Sequence, residues 1–227
     1  MSRPVVAVVA AAGQGTRLGA DVPKAYVPLD GRTLLERSVA AMEASGVIDQ
    51  VMVVVSPSME PVARDCLAGH DVAFVHGGAE RADSIFAALK ALSLIDGSVL
   101  IHDAARALTP PGMIARVVHA LHAGAPAVVP VVPVADTVKQ VRGAEVESTL
   151  DRSLLRAAQT PQGFDLRQLR EANAAYFSGA QDFVATDDAS LMEWHGVPVT
   201  TVPGDPMAFK ITTPLDLLLA EAVLDAS

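Results

Sequence analysis

The sequence of 227 residues contains one cysteine, Cys66, and only 4% aromatic residues. A single cysteine excludes an intrachain disulfide, and it leaves no cluster suited to zinc or an iron–sulfur centre. Because Cys66 lies in a segment of helical period, we interpret it as a small helix residue. These features are compatible with reducing conditions and predict a cytoplasmic protein.

Long hydrophobic runs and excess positive charge are also missing. No apolar run approaches the ~18 residues of a membrane-spanning helix, and the N-terminal run passes into a glycine loop without the layout of a signal peptide. The chain has 17 basic and 26 acidic residues, a formal net charge of −9. We therefore expect no nucleic-acid or membrane partner, and an anionic ligand would need a few local cations.

The hydrophobic residues, 51% of the chain, fall into short β-branched runs that alternate with segments of helical period. This alternation predicts one α/β domain over residues 1–227, with a Rossmann-like, mostly parallel sheet and helices on both faces. The predicted strands are Val5–Val9, Val51–Val55, Val72–Val75, Val99–Ile101 and Ala127–Val132. The predicted helices are Thr33–Ser45, Glu60–Leu67, Ala82–Leu92 and Pro111–Ala123.

The alternation weakens after Pro133. The segment "VPVADTVKQVRGAEVESTLDRSLLRAAQTPQGF" reads as extended strands around a turn at Gly143, and residues of about 134–156 in it are either a plain hairpin insertion or an arm that reaches a partner subunit. Helical period resumes in "DLRQLREANAAYF", and "MAFKITTPLDLLLAEAVLDA" predicts a strand-like piece followed by an amphipathic helix.

The glycine-rich loop after the first strand reads "AAAGQGTRLGADVPK". It lacks the third glycine of a dinucleotide-binding fingerprint, which disfavours an NAD-dependent oxidoreductase, and the Gly-Lys-Ser/Thr ending of a Walker A loop. Backbone N–H groups of such a loop can hold phosphate oxygens, and Arg17 and Lys24 can flank them. The alternative is a tight turn with two solvated charges.

Two further motifs follow predicted strands. In "HGGAERADSI", Ser84 and nearby backbone groups could read the edge of a base, or the stretch could be a helix cap beside a surface arginine, Arg81. In "VLIHDAARAL", His102 is interpreted as a packed residue. Asp103 stands at a strand end, where it could bind Mg²⁺ or accept a hydrogen bond from a ligand.

Three further cations follow in the motifs "DTVKQV", "LDRSLLRAAQTPQGF" and "MAFKITTP": Lys139, Arg152 and Lys210. A strand would place Lys210 opposite its apolar neighbours, either as an outward edge lysine or as a functional group. The "TDDAS" motif has the layout of a helix N-terminus, so we interpret its two aspartates as favouring the helix dipole rather than a metal.

The ordered set of these motifs resembles the 2-C-methyl-D-erythritol 4-phosphate cytidylyltransferases of the non-mevalonate isoprenoid pathway. The resemblance extends from about Val5 to the last helix and departs from the family pattern at Ala79, Ala107 and Ala208. It rests on "AAAGQGTRL…PKAY", "GGAERADS", "HDAAR", "DTVK", "DR…QTPQGF", "TDDAS" and "FKIT".

The resemblance implies a homodimeric enzyme that transfers CMP from CTP to methylerythritol 4-phosphate with Mg²⁺. It implies that Arg17 and Lys24 stabilise the transferring phosphate, and that Arg152 and Lys210 hold the acceptor. The other implied contacts are Ala11, Ala12, Gly13, Gly15, Gly78 and Ser84 for the nucleotide, and Asp103, Thr137 and Thr160 for the acceptor.

In this family the segment around residues 136–152 is an exchanged arm, so Thr137 and Arg152 are expected to complete the partner's site. Asp103 is also the candidate metal ligand, with Mg²⁺ otherwise held mainly by the CTP phosphates. Two other functions stay open: a cytidylyltransferase for another polyol phosphate, such as ribitol 5-phosphate, and a nucleotide-binding module without catalytic activity.

Overall fold

The protein is described here by a computed structural model that covers residues 3–13, 15, 18–19, 22–179 and 183–226. The strands within these ranges are β1 (Val5–Ala10), β2 (Pro28–Leu29), β3 (Arg32–Thr33), β4 (Gln50–Val55), β5 (Val72–His76), β6 (Ser98–Asp103), β7 (Ala127–Pro133), β8 (Lys139–Arg142), β9 (Glu145–Thr149), β10 (Arg156–Ala158), β11 (Gln162–Asp165) and β12 (Val199–Pro203). The helices are α1 (Leu34–Ala44), α2 (Glu60–Cys66), α3 (Arg81–Ala91), α4 (Pro111–His122), α5 (Leu166–Ser178), α6 (Asp188–Trp194) and α7 (Pro214–Asp225).

Eight strands form the central sheet, in the order β10-β7-β11-β6-β1-β4-β5, with β12 also paired to β7. Strands β6, β1, β4 and β5 pair in parallel, and β12 is parallel to β7. Strand β11 is antiparallel to both β6 and β7, and β10 is antiparallel to β7. The α/β prediction is confirmed, and each predicted strand extends by one to three residues.

The valine runs are explained by burial on both faces of the sheet. In β1, Val5 and Val9 pack into one buried cluster with α1 and α4, whereas Val6 and Val8 pack into another with α3, α5 and α6. Successive side chains of a strand point to opposite faces, so a strand covered on both sides needs apolar residues at every position.

Helix boundaries follow the local signals in the sequence. Thr33 caps α1 by accepting a hydrogen bond from the backbone N–H of Glu36, and Gly46 follows the helix end with a φ of 67°. Asp187 caps α6 by accepting from the N–H of Ser190, which confirms the predicted helix start. Among the described residues, no helix has both the length and the apolar character needed to cross a membrane.

The segment after β7 is a separate two-stranded hairpin of β8 and β9, with Gly143 in its turn at a φ of 62°. We call residues 134–156 the arm. Its side chains are mostly exposed, including four large apolar ones, Val141, Val146, Leu150 and Leu154. The predicted extended structure is confirmed, and these exposed residues are considered again below.

The predicted strand-like piece around Lys210 is wrong. Pro206–Ala208 forms a single 3-10 turn, and residues 209–213 pair with no strand of the described chain. The segment is instead held by single contacts, because Ile211 donates its N–H to the carbonyl of Ala105 and its side chain is fully buried. One buried isoleucine next to an exposed lysine imitates the alternation of a strand.

Candidate functional site

The carboxyl ends of the parallel strands β1 and β6 form one side of a cavity of about 270 Å³. Ala10, the last residue of β1, lies opposite Asp103, the last residue of β6. This is the edge where open α/β sheets bind ligands. The cavity brings together nine of the predicted site residues: Ala11, Ala12, Gly13, Gly15, Lys24, Gly78, Ser84, Asp103 and Lys210. Arg17 lies outside the described residues.

Gly15 shows why the loop after β1 is rich in glycine. Its φ of 61° lies in the left-handed region, and a Cβ atom added there would collide with the Cβ of Lys24. Lys24 begins a single 3-10 turn after Pro23 and lines the cavity. The loop and the lysine therefore pack directly against each other, so a side chain at Gly15 would push Lys24 from its place.

The double glycine after β5 packs against the start of α3. A Cβ atom at Gly77 would lie 2.6 Å from Oγ of Ser84 and 2.9 Å from the Cβ of Ala12. The Ser84 hydroxyl accepts a hydrogen bond from the N–H of Gly78 at 3.2 Å and donates to the carbonyl of Glu80 at 3.0 Å. Ser84 thus fixes this turn, and its contact with a base stays a prediction.

A network of charged side chains crosses the cavity wall. Oδ2 of Asp103 lies 2.7 Å from Nζ of Lys210, and Oδ1 lies 3.4 Å from Nε of Arg81. Nη2 of Arg81 lies 2.7 Å from Oδ2 of Asp188. Burial disfavours ionisation of Asp103, but Arg81 and Lys210 outweigh it and hold the pKa of that carboxyl well below its usual range.

Arg81 and Asp188 correct two interpretations of the sequence. Arg81 is not a surface arginine beside a helix cap: it starts α3 and lines the cavity between two carboxylates. Asp188 is not only a residue that favours the dipole of α6, because its side chain is 5% exposed and paired with Arg81. Burial alone would lower the pKa of the Arg81 guanidinium, but the two aspartates raise it.

A second cavity, of about 180 Å³, adjoins the first. Its walls include Thr160, as predicted, and residues that sequence reasoning missed: Arg81, Arg106, Gln159, Gln162, Thr186 and Asp187. The missed residues lie in the motifs "GGAERADS", "HDAAR", "QTPQGF" and "TDDAS", which was the available signal. Three residues, Arg81, Asp103 and Lys210, line both cavities and form the wall between them.

The loop that carries Lys210 is anchored to the sheet by two side chains of the second cavity. Arg106 donates through Nη1 to the carbonyl of Ala208 at 2.7 Å. The Gln159 amide makes a reciprocal pair with Asp205, since it accepts from the N–H at 2.9 Å and donates to the carbonyl at 2.8 Å. These contacts place the lysine without the support of a strand.

His102 is fully buried behind Asp103, which confirms its interpretation as a packed residue. Its Nδ1 lies 3.1 Å from Oγ1 of Thr160, and the same hydroxyl accepts a hydrogen bond from the N–H of Asp103 at 3.0 Å. Burial lowers the pKa of His102 to about 4. The imidazole is therefore neutral near pH 7 and is closed off from any ligand in the cavities.

His102 predicts a specific loss of stability in acid. The unfolded chain takes up this proton near pH 6.5 and the folded chain only near pH 4, so stability falls as the pH falls through that window. The loss amounts to about 3 kcal/mol, from 1.36 kcal/mol per pKa unit. Urea unfolding across this pH range should show that the free energy of unfolding depends less on pH in His102→Gln than in the unaltered chain. Equal pH slopes for the two proteins would contradict the buried neutral imidazole.

Thr137 and Arg152, the two predicted site residues of the arm, line neither of these cavities. Arg152 is exposed and donates through Nη1 to the carbonyl of Ala135 at 2.6 Å, within the arm itself. The structure of the single chain therefore does not bring them to the other site residues. Their predicted role depends on a second subunit.

The described residues contain no group of three histidine, cysteine, aspartate or glutamate side chains that could hold a metal ion by themselves. Asp103 is the carboxylate that lines both cavities, and two cations already contact it. One carboxylate suits Mg²⁺ only where the ion keeps its waters and takes its other ligands from substrate phosphates.

Comparison with known proteins shows the family of the chain. The family model of IspD, 2-C-methyl-D-erythritol 4-phosphate cytidylyltransferase, matches residues 5–226. The chain belongs to this family. A relative of that name from Corynebacterium diphtheriae is 61% identical, with 99% of this chain and 95% of the relative covered. The chain is therefore a nucleotidyltransferase enzyme.

Solved structures support the same assignment. The synthase of 4-diphosphocytidyl-2C-methyl-D-erythritol from Anaerococcus prevotii is similar with a TM-score of 0.86 and 29% identity, covering 98% of this chain and 99% of that one. The 2-C-methyl-D-erythritol 4-phosphate cytidylyltransferase from Thermus thermophilus gives a TM-score of 0.81 and 39% identity, with 99% and 100% covered. The IspD fold is thus shared along the whole length of the chain.

Proposed function

We propose that the chain transfers CMP from CTP to 2-C-methyl-D-erythritol 4-phosphate and releases pyrophosphate, a step of isoprenoid precursor biosynthesis. The observation that carries this proposal is the wall shared by the two cavities. A nucleotide in the larger cavity and a polyol phosphate in the smaller one would meet at Lys210, Asp103 and Arg81. Family membership supplies the identity of the two substrates.

The proposed reaction depends on positive charge in the site more than on a general base. A phosphate monoester has a second pKa of about 6, so near pH 7 the acceptor is mostly a dianion and is already nucleophilic. Its oxygen attacks the α-phosphorus of CTP in line, a new P–O bond forms, and the bond to the β-phosphate breaks as pyrophosphate leaves. This fits a site in which His102 is neutral and closed off.

The obstacle to this attack is repulsion between two anions. Two unit charges 4 Å apart repel by roughly 4 kcal/mol at an effective dielectric constant of 20. Lys24 and Lys210 both line the nucleotide cavity, and Lys210 and Arg106 line the acceptor cavity. In the proposed reaction Lys24, with Arg17, stabilises the transferring phosphate, while Lys210 aligns the acceptor.

Mg²⁺ is the proposed cofactor, held mainly by the CTP phosphates, with Asp103 as the carboxylate that can reach it or its waters. When bound, the ion neutralises charge on the triphosphate. Because Asp103 already contacts Lys210 and Arg81, a metal contact would compete with these cations. The carboxylate is therefore suited to one ligand contact at most.

The proposed assembly is a homodimer in which the arm of one subunit reaches the site of the other. Val141, Val146 and Leu154 are each more than half exposed on the arm, which is an unfavourable surface for an isolated chain. A partner that covers them would bring Thr137 and Arg152 toward an acceptor. We place this enzyme in the cytoplasm, since its one cysteine, Cys66, is free.

The deciding experiment is pyrophosphate release from CTP with and without Mg²⁺, in parallel reactions with methylerythritol 4-phosphate, ribitol 5-phosphate and no acceptor. We expect release that requires both Mg²⁺ and methylerythritol 4-phosphate. Release with ribitol 5-phosphate alone would keep the chemistry and overturn the acceptor. CTP binding without release in any reaction would favour a binding module instead.

A further inference from the structure

Four side chains of alternating charge form a continuous row from the interior to the wall between the cavities. Asp188 contacts Arg81 at 2.7 Å, Arg81 contacts Asp103 at 3.4 Å, and Asp103 contacts Lys210 at 2.7 Å. Each residue belongs to a different part of the fold: the start of α6, the start of α3, the end of β6 and the loop before α7. The row therefore connects four elements at one point.

The exposure of the row changes along its length. Asp188 is 5% exposed and Asp103 14%, whereas Arg81 and Lys210 are 35% and 42% exposed. Asp188 lines neither cavity, while the other three residues line both. The buried aspartate is therefore placed to act on a ligand only through Arg81.

We infer that Asp188 is a positioning residue for the reaction, one that holds Arg81 so that Asp103 remains available to fix Lys210. This inference rests on the proposed function; it adds Asp188 to the machinery named above and gives Arg81 a role in it. With Asp188 present, the guanidinium has a close carboxylate of its own and contacts only Oδ1 of Asp103 at 3.4 Å. Oδ2 is then left to the ammonium group of Lys210.

Loss of the Asp188 charge would change which oxygens of Asp103 the two cations contact. Of its two present ion-pair partners, the partly buried guanidinium of Arg81 would keep only Asp103. A bidentate contact with that carboxylate is the geometry that arginine favours. Lys210 would then lose its fixed position at the wall. A displacement of about 1 Å in a positioning group can cost about 100-fold in rate.

A buried ion pair can also serve stability alone, and this reading must be separated from positioning. We compare Asp188→Asn with Asp188→Glu, which keeps the charge, and with Asp165→Asn as the matched control. Asp165 also lies at a helix start and pairs with an arginine, Arg3, at 2.8 Å, but it lines neither cavity. The measurements are kcat and KM for both substrates and the thermal midpoint.

We expect Asp188→Asn to lower kcat/KM for the acceptor by about 10- to 100-fold, Asp188→Glu to recover most of this loss, and Asp165→Asn to change it by less than about twofold. A change of kcat/KM below twofold in Asp188→Asn would overturn the inference. A Glu variant as impaired as the Asn variant would also overturn it, since the charge would then not be the cause.

The second measurement places Asp188→Asn in a Lys210→Ala background, where the end of the row is already missing. Positioning through Lys210 predicts less than about threefold further loss there, because the two substitutions remove one effect. A full additional loss would show that Asp188 acts by another route and would overturn the inference. Assays at micromolar enzyme keep the slow variants measurable.

If Asp188→Asn fails to fold, the same comparison is made with Arg81→Gln combined with Asp188→Asn, which removes both charges of the pair. That variant leaves no guanidinium to compete for Asp103, so Lys210 should keep its position and Lys210→Ala should then cost about as much as it does in the unaltered chain. A Lys210→Ala substitution with less than about twofold further effect would overturn the inference. Failure of the proposed function looks different, since the unaltered chain itself would then not release pyrophosphate with the acceptor.

Discussion

Replacement of Lys24 by alanine is expected to lower kcat for pyrophosphate release by a factor of about 10²–10³, because its charge is needed most as charge builds on the transferring phosphate. Lys24 lines the nucleotide cavity and packs against Gly15 of the loop after β1. The KM for CTP should change much less than kcat, since the lysine is proposed to favour the transition state over the bound substrate.

The control for this measurement is Lys90→Ala. Lys90 lies near the end of α3 over the ring of Phe86, and it lines neither cavity. The Lys90→Ala substitution removes the same formal charge as Lys24→Ala and should leave kcat unchanged. Arg17→Ala is expected to match Lys24→Ala in size. Full kcat in Lys24→Ala would contradict the proposed role of this cation.

Two inactive variants are expected to restore activity to each other when their subunits exchange. Lys24→Ala damages the site of its own subunit, whereas Arg152→Ala damages the arm, which is proposed to complete the partner's site. In a mixed dimer, one site then carries both substitutions and the other carries neither. Random exchange of equal amounts should recover activity at about one quarter of the sites.

Activity is expected to recover in the mixed dimers only because the two subunits share each site. Each variant alone should be nearly inactive, and a mixture of Lys24→Ala with Lys210→Ala should recover nothing if both residues serve the same subunit's site. Size-exclusion chromatography would show whether the variants are dimers. Dimers that exchange subunits without any recovery would place Arg152 in its own subunit's site or outside the reaction.

Much of the fold could be predicted from the sequence, because the signals that carry it are local. Unbroken valine runs such as Val51–Val55 require burial on both faces, and Thr33 and Asp187 mark helix starts through hydrogen bonds that span three residues. The short strands β10 and β11 lie in the segment predicted as extended, but their bounds and pairing were not predicted, and β12 was not predicted at all. Their pairing partners are distant in the sequence, and nothing in their own residues indicates a direction.

The residues of the candidate site can also be divided into those that local signals in the sequence indicated and those that they did not. Residues at the end of a strand or in the loop after it, such as Asp103 and Gly15, could be named because the ends of parallel strands meet at one edge. Lys210 was named through the resemblance, and the local prediction of a strand around it was wrong, since its segment is held through Arg106 and Ile211 instead. The motif order identified the family, and the family model confirmed it.

The sequence by itself therefore determined the elements, the phosphate-type loop and the family of this chain, because each depends on residue type and short spacing. Only the tertiary structure decided which charges meet. Arg81, Asp188 and Lys210 are far apart in the chain. By their neighbours in sequence, Arg81 and Asp188 looked like a surface arginine and a helix-start aspartate, and Lys210 like either an edge lysine or a functional group. The sheet brings them to Asp103, and burial there gives each charge a partner that its neighbours in sequence could not reveal.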